Sequence, residues 1–187
     1  MQTLAPFGLR PAYHPTGRGR GLPYTIAGGY ASGIFKGDPV ILNTNGTLNV
    51  GTAAADLLGV FDGVEYVDVT GKPTSSNFWP AAQAVFAGSA PVAYVWDHPD
   101  IVYDIQANGP VLQTALGDQA DVVMATGNAQ TGLSAVAMNA TLAGLGLQGQ
   151  LRIIDINRDP ANAVGDLFTV VQVKIARHQY VANKVAV

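Results

Sequence analysis

Hydrophobic residues fall in short runs separated by turn residues from Asp38 onward, a pattern typical of β-strands. The run 167–176 alternates strictly, and its odd-numbered face is the more apolar, which is the period of two of a strand. Asn45-Gly46 predicts a tight hairpin turn. The other predicted strands are 40–42, 47–50, 57–69, 92–96, 101–105, 120–124, 134–138 and 150–156. This spacing predicts an all-β sandwich or barrel, with helix limited to a turn or two at 53–58 and 111–116.

The first 37 residues have a different pattern. Four prolines and eight glycines predict an extended, irregular arm, because proline removes a backbone donor and restricts the residue before it. Aromatic and aliphatic residues recur along this arm and would be costly to leave in water. We therefore expect an arm of residues 1–37 that lies across a surface, and a β body of residues 38–187. The sequence leaves open whether that surface belongs to the same chain or to a neighbour.

Charge is scarce and unevenly placed. Only 12 % of the 187 residues are charged, about half the ~25 % of ordinary soluble domains, while 48 % are hydrophobic and the net charge is −3. These values exclude intrinsic disorder and argue against nucleic-acid binding. The arm carries a net +4 and the body a net −7. Two stretches, 73–96 and 122–151, have no charge at all but are too rich in Pro, Gly and polar residues to span a membrane. They are either interface or buried core.

Candidate catalytic chemistry is sparse. The chain has no Cys, which excludes disulfides and thiolate metal sites, and the first residues lack the pattern of a secretory signal. His14, His98 and His178 lie far apart in the sequence, and no serine lies in a Gly-x-Ser-x-Gly motif. Asp97-His98-Pro99-Asp100 favours a turn over a metal site. A literal G-x-G-x-x-G at 144–149 is followed by strand-like residues instead of a helix, which indicates a loop. We predict no catalytic residue, no metal ligand, no cofactor and no enzymatic activity.

The order of several short motifs resembles a family of tailed-phage virion proteins, the capsid cement or decoration proteins. The resemblance covers nearly the whole chain, and its motifs are Gly8-Leu-Arg-Pro-Ala-Tyr-His-Pro15, Gly37-Asp-Pro-Val40, Leu58-Gly-Val60, Val92–Val95 before Asp97-His-Pro-Asp100, Ile105-Gln106, Gly132-Leu-Ser134, Leu151-Arg-Ile153 and Asp159-Pro-Ala-Asn-Ala-Val-Gly165. The resemblance implies a jelly-roll-like β-sandwich on the outer surface of the phage head, made in the bacterial host cytoplasm. It implies no catalytic residue and no cofactor.

The expected function is therefore structural: binding the outside of the head and bridging subunits of the major capsid protein, so that the DNA-filled capsid resists pressure. Aromatic and Arg residues are common interface anchors. The candidates in the arm are Phe7, Arg10, Tyr13, Arg18, Arg20, Tyr24 and Tyr30. We expect a homo-oligomer, either a dimer or a trimer, and no direct contact with nucleic acid or membrane. The alternative is a receptor- or glycan-binding β module of a tail or fibre, with Trp79, Trp96 and Tyr103 as exposed aromatics.

Overall fold

The structure, a computed structural model, describes residues 3–17 and 19–181, and its regular secondary structure is almost entirely β-strand. The strands are β1 (Arg10–Tyr13), β2 (Leu22–Ile26), β3 (Ile34–Phe35), β4 (Pro39–Leu42), β5 (Thr47–Val50), β6 (Gly59–Val67), β7 (Pro73–Ser76), β8 (Phe78–Trp79), β9 (Val92–Trp96), β10 (Val102–Gln106), β11 (Gln119–Val123), β12 (Ala137–Leu142), β13 (Leu151–Ile156) and β14 (Val170–Ile175). A single 3₁₀ turn, Gln113–Ala115, is the helical structure of the described part. The all-β prediction is confirmed.

Strands β2, β4, β5, β6 and β9 form a closed sheet. Its order is β4-β5-β2-β9-β6, and β4 also pairs with β6, so that the five strands complete a ring. Strand β7 extends β6 as an antiparallel hairpin. The β2–β5 pair is parallel, whereas the other pairs of this sheet are antiparallel. A ring of this kind leaves few unpaired strand edges.

Five strands of the second half and the N-terminal strand β1 form an open sheet with the order β1-β10-β14-β13-β11-β12, and each of its pairs is antiparallel. The predicted alternation in β14 is confirmed, because Val171, Val173 and Ile175 are buried while the residues between them are partly exposed. The small pair β3–β8 lies outside both sheets.

Two hydrophobic cores hold the sheets. The first fills the closed sheet around Phe61 and Trp79. The second covers the inner face of the open sheet, and Leu57, just before β6, and Val60, in β6 of the closed sheet, belong to it. The closed sheet therefore packs against the open one, and the two share apolar contacts. Leu9, from the predicted arm, is fully buried in the second core.

The structure corrects the predicted division at residue 37. Strand β1 pairs with β10 at the edge of the open sheet, and β2 lies in the closed sheet between β5 and β9. Ile26 is fully buried. Of the two surfaces that the sequence left open, the described part of this segment lies on the chain's own body and contributes strands to it. Pro23 does not prevent β2 from joining the closed sheet. Pro23 pairs with β9 on one side, and on the other side β5 pairs with β2 only from Thr25, so among the described residues no strand pairs with Pro23 there.

The turns follow the sequence more closely than the arm does. The Asn45-Gly46 hairpin is confirmed, since β4 and β5 pair antiparallel and Gly46 has a φ of 77°. The possible helix at 111–116 contains the 3₁₀ turn, whereas 53–58 forms no helix. Within residues 3–17 and 19–181, no helix has the length and apolar character needed to cross a membrane.

Candidate interaction surface

Four of the residues predicted to contact a capsid contact the protein's own fold instead. The Arg10 guanidinium lies 4.9 Å from the centre of the Phe7 ring and donates to Asp104 Oδ2 at 3.0 Å. The Tyr24 hydroxyl donates to Asp97, and burial together with this hydrogen bond raises the pKa of Tyr24. The Tyr30 hydroxyl accepts the Val50 N–H at 3.2 Å. We call the described part of residues 1–37 the N-terminal segment. These aromatic and Arg side chains fix it in place.

The other predicted contact residues are on the surface or outside the described residues. Tyr13 is about half exposed at 49 %, and Arg20 is exposed. Arg18 lies outside the described residues. Among the described members of the predicted set, Tyr13 and Arg20 are exposed, and so is most of the Arg10 side chain beyond its contacts with Phe7 and Asp104.

The structure brings together two histidines that are far apart in the sequence. His14 Nε2 lies 2.9 Å from His98 Nδ1. His98 Nδ1 also accepts the Asp100 N–H at 3.1 Å, and His14 Nδ1 accepts the Thr16 N–H at 3.2 Å. Because both Nδ1 atoms act as acceptors, His14 Nε2 is the donor of the shared bond. The pair joins the segment after β1 to the turn after β9.

The turn interpretation of residues 97–100 agrees with the structure. The Ile101 N–H donates to the His98 carbonyl at 3.2 Å, and Lys174 forms an ion pair with Asp100 at 3.3 Å. His178 is fully buried, and this burial lowers its pKa. Among the residues that the structure describes, no group of three or more His, Asp or Glu side chains is arranged to hold a metal ion.

The G-x-G-x-x-G motif forms a loop between strands, as expected, and this loop presents two leucines to solvent. We name residues 143–149 the leucine loop; it joins β12 to β13. Leu145 is fully exposed and Leu147 is 71 % exposed. Sequence analysis identified the loop from its glycines but did not identify these leucines as surface residues, although they lie in the uncharged stretch 122–151.

The base of the leucine loop is fixed. The Ala143 N–H donates to the Gln119 carbonyl at 2.7 Å, and a Cβ at Gly149 would lie 2.8 Å from the backbone nitrogen of Ala120. Beside it, Gln150 is fully buried, and its amide donates to the carbonyls of Thr52 at 2.8 Å and Ala55 at 2.7 Å. The exposed leucines are therefore held at the end of an anchored loop.

Other exposed apolar side chains lie in separate places. Leu112 packs beside Gly165, and Val164 and Leu167 are also exposed nearby in the sequence. Phe86, in the uncharged stretch 73–96, is 49 % exposed and lies over Gly71. Each uncharged stretch thus contributes both buried core, such as Trp79 in the first, and exposed apolar surface.

The aromatic surface expected for a glycan-binding module is absent at the predicted positions. Trp79 and Tyr103 are buried, with exposed fractions of 0 % and 1 %. Trp96 is partly buried, and Gly19 lies so close to its ring that a Cβ there would be 2.8 Å away. The prediction that these three aromatics are exposed is wrong, because they fill the cores and the space beneath the N-terminal segment.

A groove of about 600 Å³ opens where β3, the segment after β5 and the segment after β11 meet. Its walls include Phe35 and Phe78, whose rings stack with their centres 5.6 Å apart. Asp38 lines it and is 2 % exposed. Sequence analysis did not select Asp38, and its one signal was position: it is the first acidic residue, set between Gly37 and Pro39.

No protein family, no curated protein and no solved structure matches this chain.

Proposed function

We propose that this protein is a capsid cement protein of a tailed phage, which binds the outer surface of the head and bridges subunits of the major capsid protein. The order of motifs along the chain suggests this function. The observation that carries it in the structure is the leucine loop, which presents Leu145 and Leu147 on an anchored base. Two neighbouring exposed leucines on an anchored base fit burial against another protein better than a role within the chain itself.

The strength of such a contact follows from burial and from repetition. Burying a leucine side chain contributes about 1.5–3 kcal/mol, so two leucines alone give only weak attachment. A cement protein that engages several capsid subunits at once multiplies modest affinities by about 10²–10⁴ through effective concentration. We expect a homo-oligomer for this reason, with a dimer or a trimer as the two candidates.

In this proposal the N-terminal segment contributes fewer residues to the capsid contact than the sequence predicted. Phe7, Tyr24 and Tyr30 contact the protein's own fold, so we propose that the segment reaches the capsid only through the side chains that stay exposed. Tyr13, Arg20 and the exposed part of Arg10 are its contribution to the proposed contact.

The proposal is tested by adding the purified protein to mature heads that lack it. We expect saturable binding with a fixed number of copies per head, in the hundreds, and decorated heads should release DNA at a higher temperature than undecorated ones. Copies in the low tens would favour a tail or fibre component. Binding without any change in the DNA-release temperature would remove the cementing role.

A further inference from the structure

A buried carboxylate with one oxygen that accepts no hydrogen bond lies at the groove between the closed sheet and the segment after β11. Asp38 Oδ2 accepts the Phe35 N–H at 2.8 Å, but Asp38 Oδ1 has no hydrogen-bond partner among the described residues. Burial raises the pKa of Asp38 to about 6, against smaller opposing effects of the Ser134 hydroxyl and the Phe35 N–H. At neutral pH the group is therefore a buried negative charge, which is costly without a cation.

The backbone holds this carboxylate in place. The Asp38 N–H donates to the Phe35 carbonyl at 2.9 Å, and the Asp38 carbonyl accepts the Phe61 N–H at 3.0 Å. Next to it, the Lys36 N–H donates to Gly132 and the Lys36 carbonyl accepts the Ser134 N–H, both at 2.9 Å. Asp38 therefore cannot readily turn out to solvent, and a compensating charge has to come to it.

The groove supplies the rest of a site for a cation. Asp38 is the charged residue among those that line it, and no Lys, Arg or His is among these lining residues. The neighbouring Lys36 pairs with Asp62 at 2.8 Å and so is already engaged. The stacked rings of Phe35 and Phe78 form an aromatic wall. Aromatic faces attract cations, most strongly where water is excluded.

We propose that this groove receives a Lys or Arg side chain of a partner protein, whose cation pairs with Asp38 while its aliphatic stem packs on Phe35 and Phe78. This inference rests on the proposed function, in which the partner is the major capsid protein. A guanidinium or ammonium on an apolar stem matches both features of the groove, the charge at Asp38 and the apolar walls. A groove of this volume is large enough for a side chain and the backbone beside it.

The experiment compares head binding by the wild-type protein, D38N and the control D118N, which removes the same charge at an exposed position. Asparagine has the shape of aspartate and can still accept the Phe35 N–H, so the fold is expected to persist, and thermal unfolding checks this. We expect D38N to bind heads about tenfold or more weakly, because the capsid cation loses its partner, and D118N to bind normally. F78L, which keeps an apolar residue but removes the ring, should weaken binding less. Equal affinity of D38N and the wild type overturns the inference and leaves the proposed function standing.

A second measurement does not depend on heads. N-acetyl-arginine amide and its neutral counterpart N-acetyl-citrulline amide are titrated separately into the protein, and the amide signals of residues 35, 38 and 78 are followed by NMR. A saturable shift with the arginine probe alone, lost in D38N, supports the inference even if heads fail to bind. Equal responses to the two probes, or none, overturn it. A response to arginine combined with unchanged head binding by D38N also overturns it, because the occupant is then a small cation instead of a capsid side chain.

Discussion

The N-terminal segment and the leucine loop both combine glycines with apolar side chains, but only the first buries them. Both are rich in glycine, carry apolar side chains and were predicted to be irregular. The N-terminal segment contributes strands to both sheets and buries Leu9 and Ile26 completely. The leucine loop remains a connection between β12 and β13, and its leucines are exposed.

The difference lies in where the apolar side chains fall relative to backbone pairing. In β2 the residues Leu22, Tyr24 and Ile26 alternate with more exposed ones, so pairing with β9 turns one apolar row inward. In the leucine loop, Leu145 and Leu147 flank Gly146, whose φ of 80° belongs to a turn and not to a strand. In these two segments, strand pairing turns the apolar row of β2 inward, whereas the turn at Gly146 leaves the two leucines at the surface.

Deleting residues 2–30 is the most severe test of this comparison. The deletion removes β1 and β2, and the loss of β2 opens the closed sheet between β5 and β9. We expect the remaining chain not to fold, because the loss exceeds the roughly 5–15 kcal/mol that stabilises a whole domain. Circular dichroism and thermal unfolding check this. A cooperative transition in the truncated protein would show that the segment is a removable arm after all.

Leu9→Ala tests the N-terminal segment at a single side chain. Leu9 is fully buried in the second core, so the substitution should lower the free energy of unfolding by about 2–5 kcal/mol. Urea unfolding measures the change. Leu145→Ala removes the same atoms from a fully exposed position, and we expect a change within about 0.5 kcal/mol. Similar losses in the two variants would contradict the contrast.

The buried carboxyl group of Asp38 should make the free energy of unfolding depend on pH. Its pKa is raised from 3.8 to about 6 by burial, so the folded protein holds this proton over a range where the unfolded chain has released it. Protonated Asp38 therefore contributes its full stabilisation below about pH 4, and this stabilisation is lost as the pH rises through about 6. The free energy of unfolding falls by about 3 kcal/mol over this range. Urea unfolding between pH 4 and 8 should show this decline in the wild type, and it should be missing from D38N. Parallel pH profiles for the two proteins would mean that the carboxylate is already compensated.

The sequence predicted the strands with alternating apolar and polar residues well, but it predicted the tertiary contacts poorly. Strands such as β9 and β14 follow from local alternation, and the β4–β5 hairpin follows from Asn45-Gly46. Strand β2 was not predicted because Pro23 and the glycines on either side of the strand suggest irregular backbone, but the segment pairs with β9. The Asp38 groove could not be predicted, since it is formed by segments far apart in the chain whose contacts no local pattern encodes.

Substituting the two exposed leucines of the leucine loop should change the free energy of unfolding least and still weaken binding to heads strongly. The double variant L145S/L147S changes two exposed side chains at the end of an anchored loop, so its free energy of unfolding should stay within about 0.5 kcal/mol of the wild type. Binding to heads should fall sharply, because each copy then loses the apolar surface that it would bury against the capsid. L112S is the matched control, since Leu112 is comparably exposed at another place on the surface. If L112S weakens binding and the double variant does not, the contact lies at the surface around Leu112 and Gly165, and the leucine loop has no part in it.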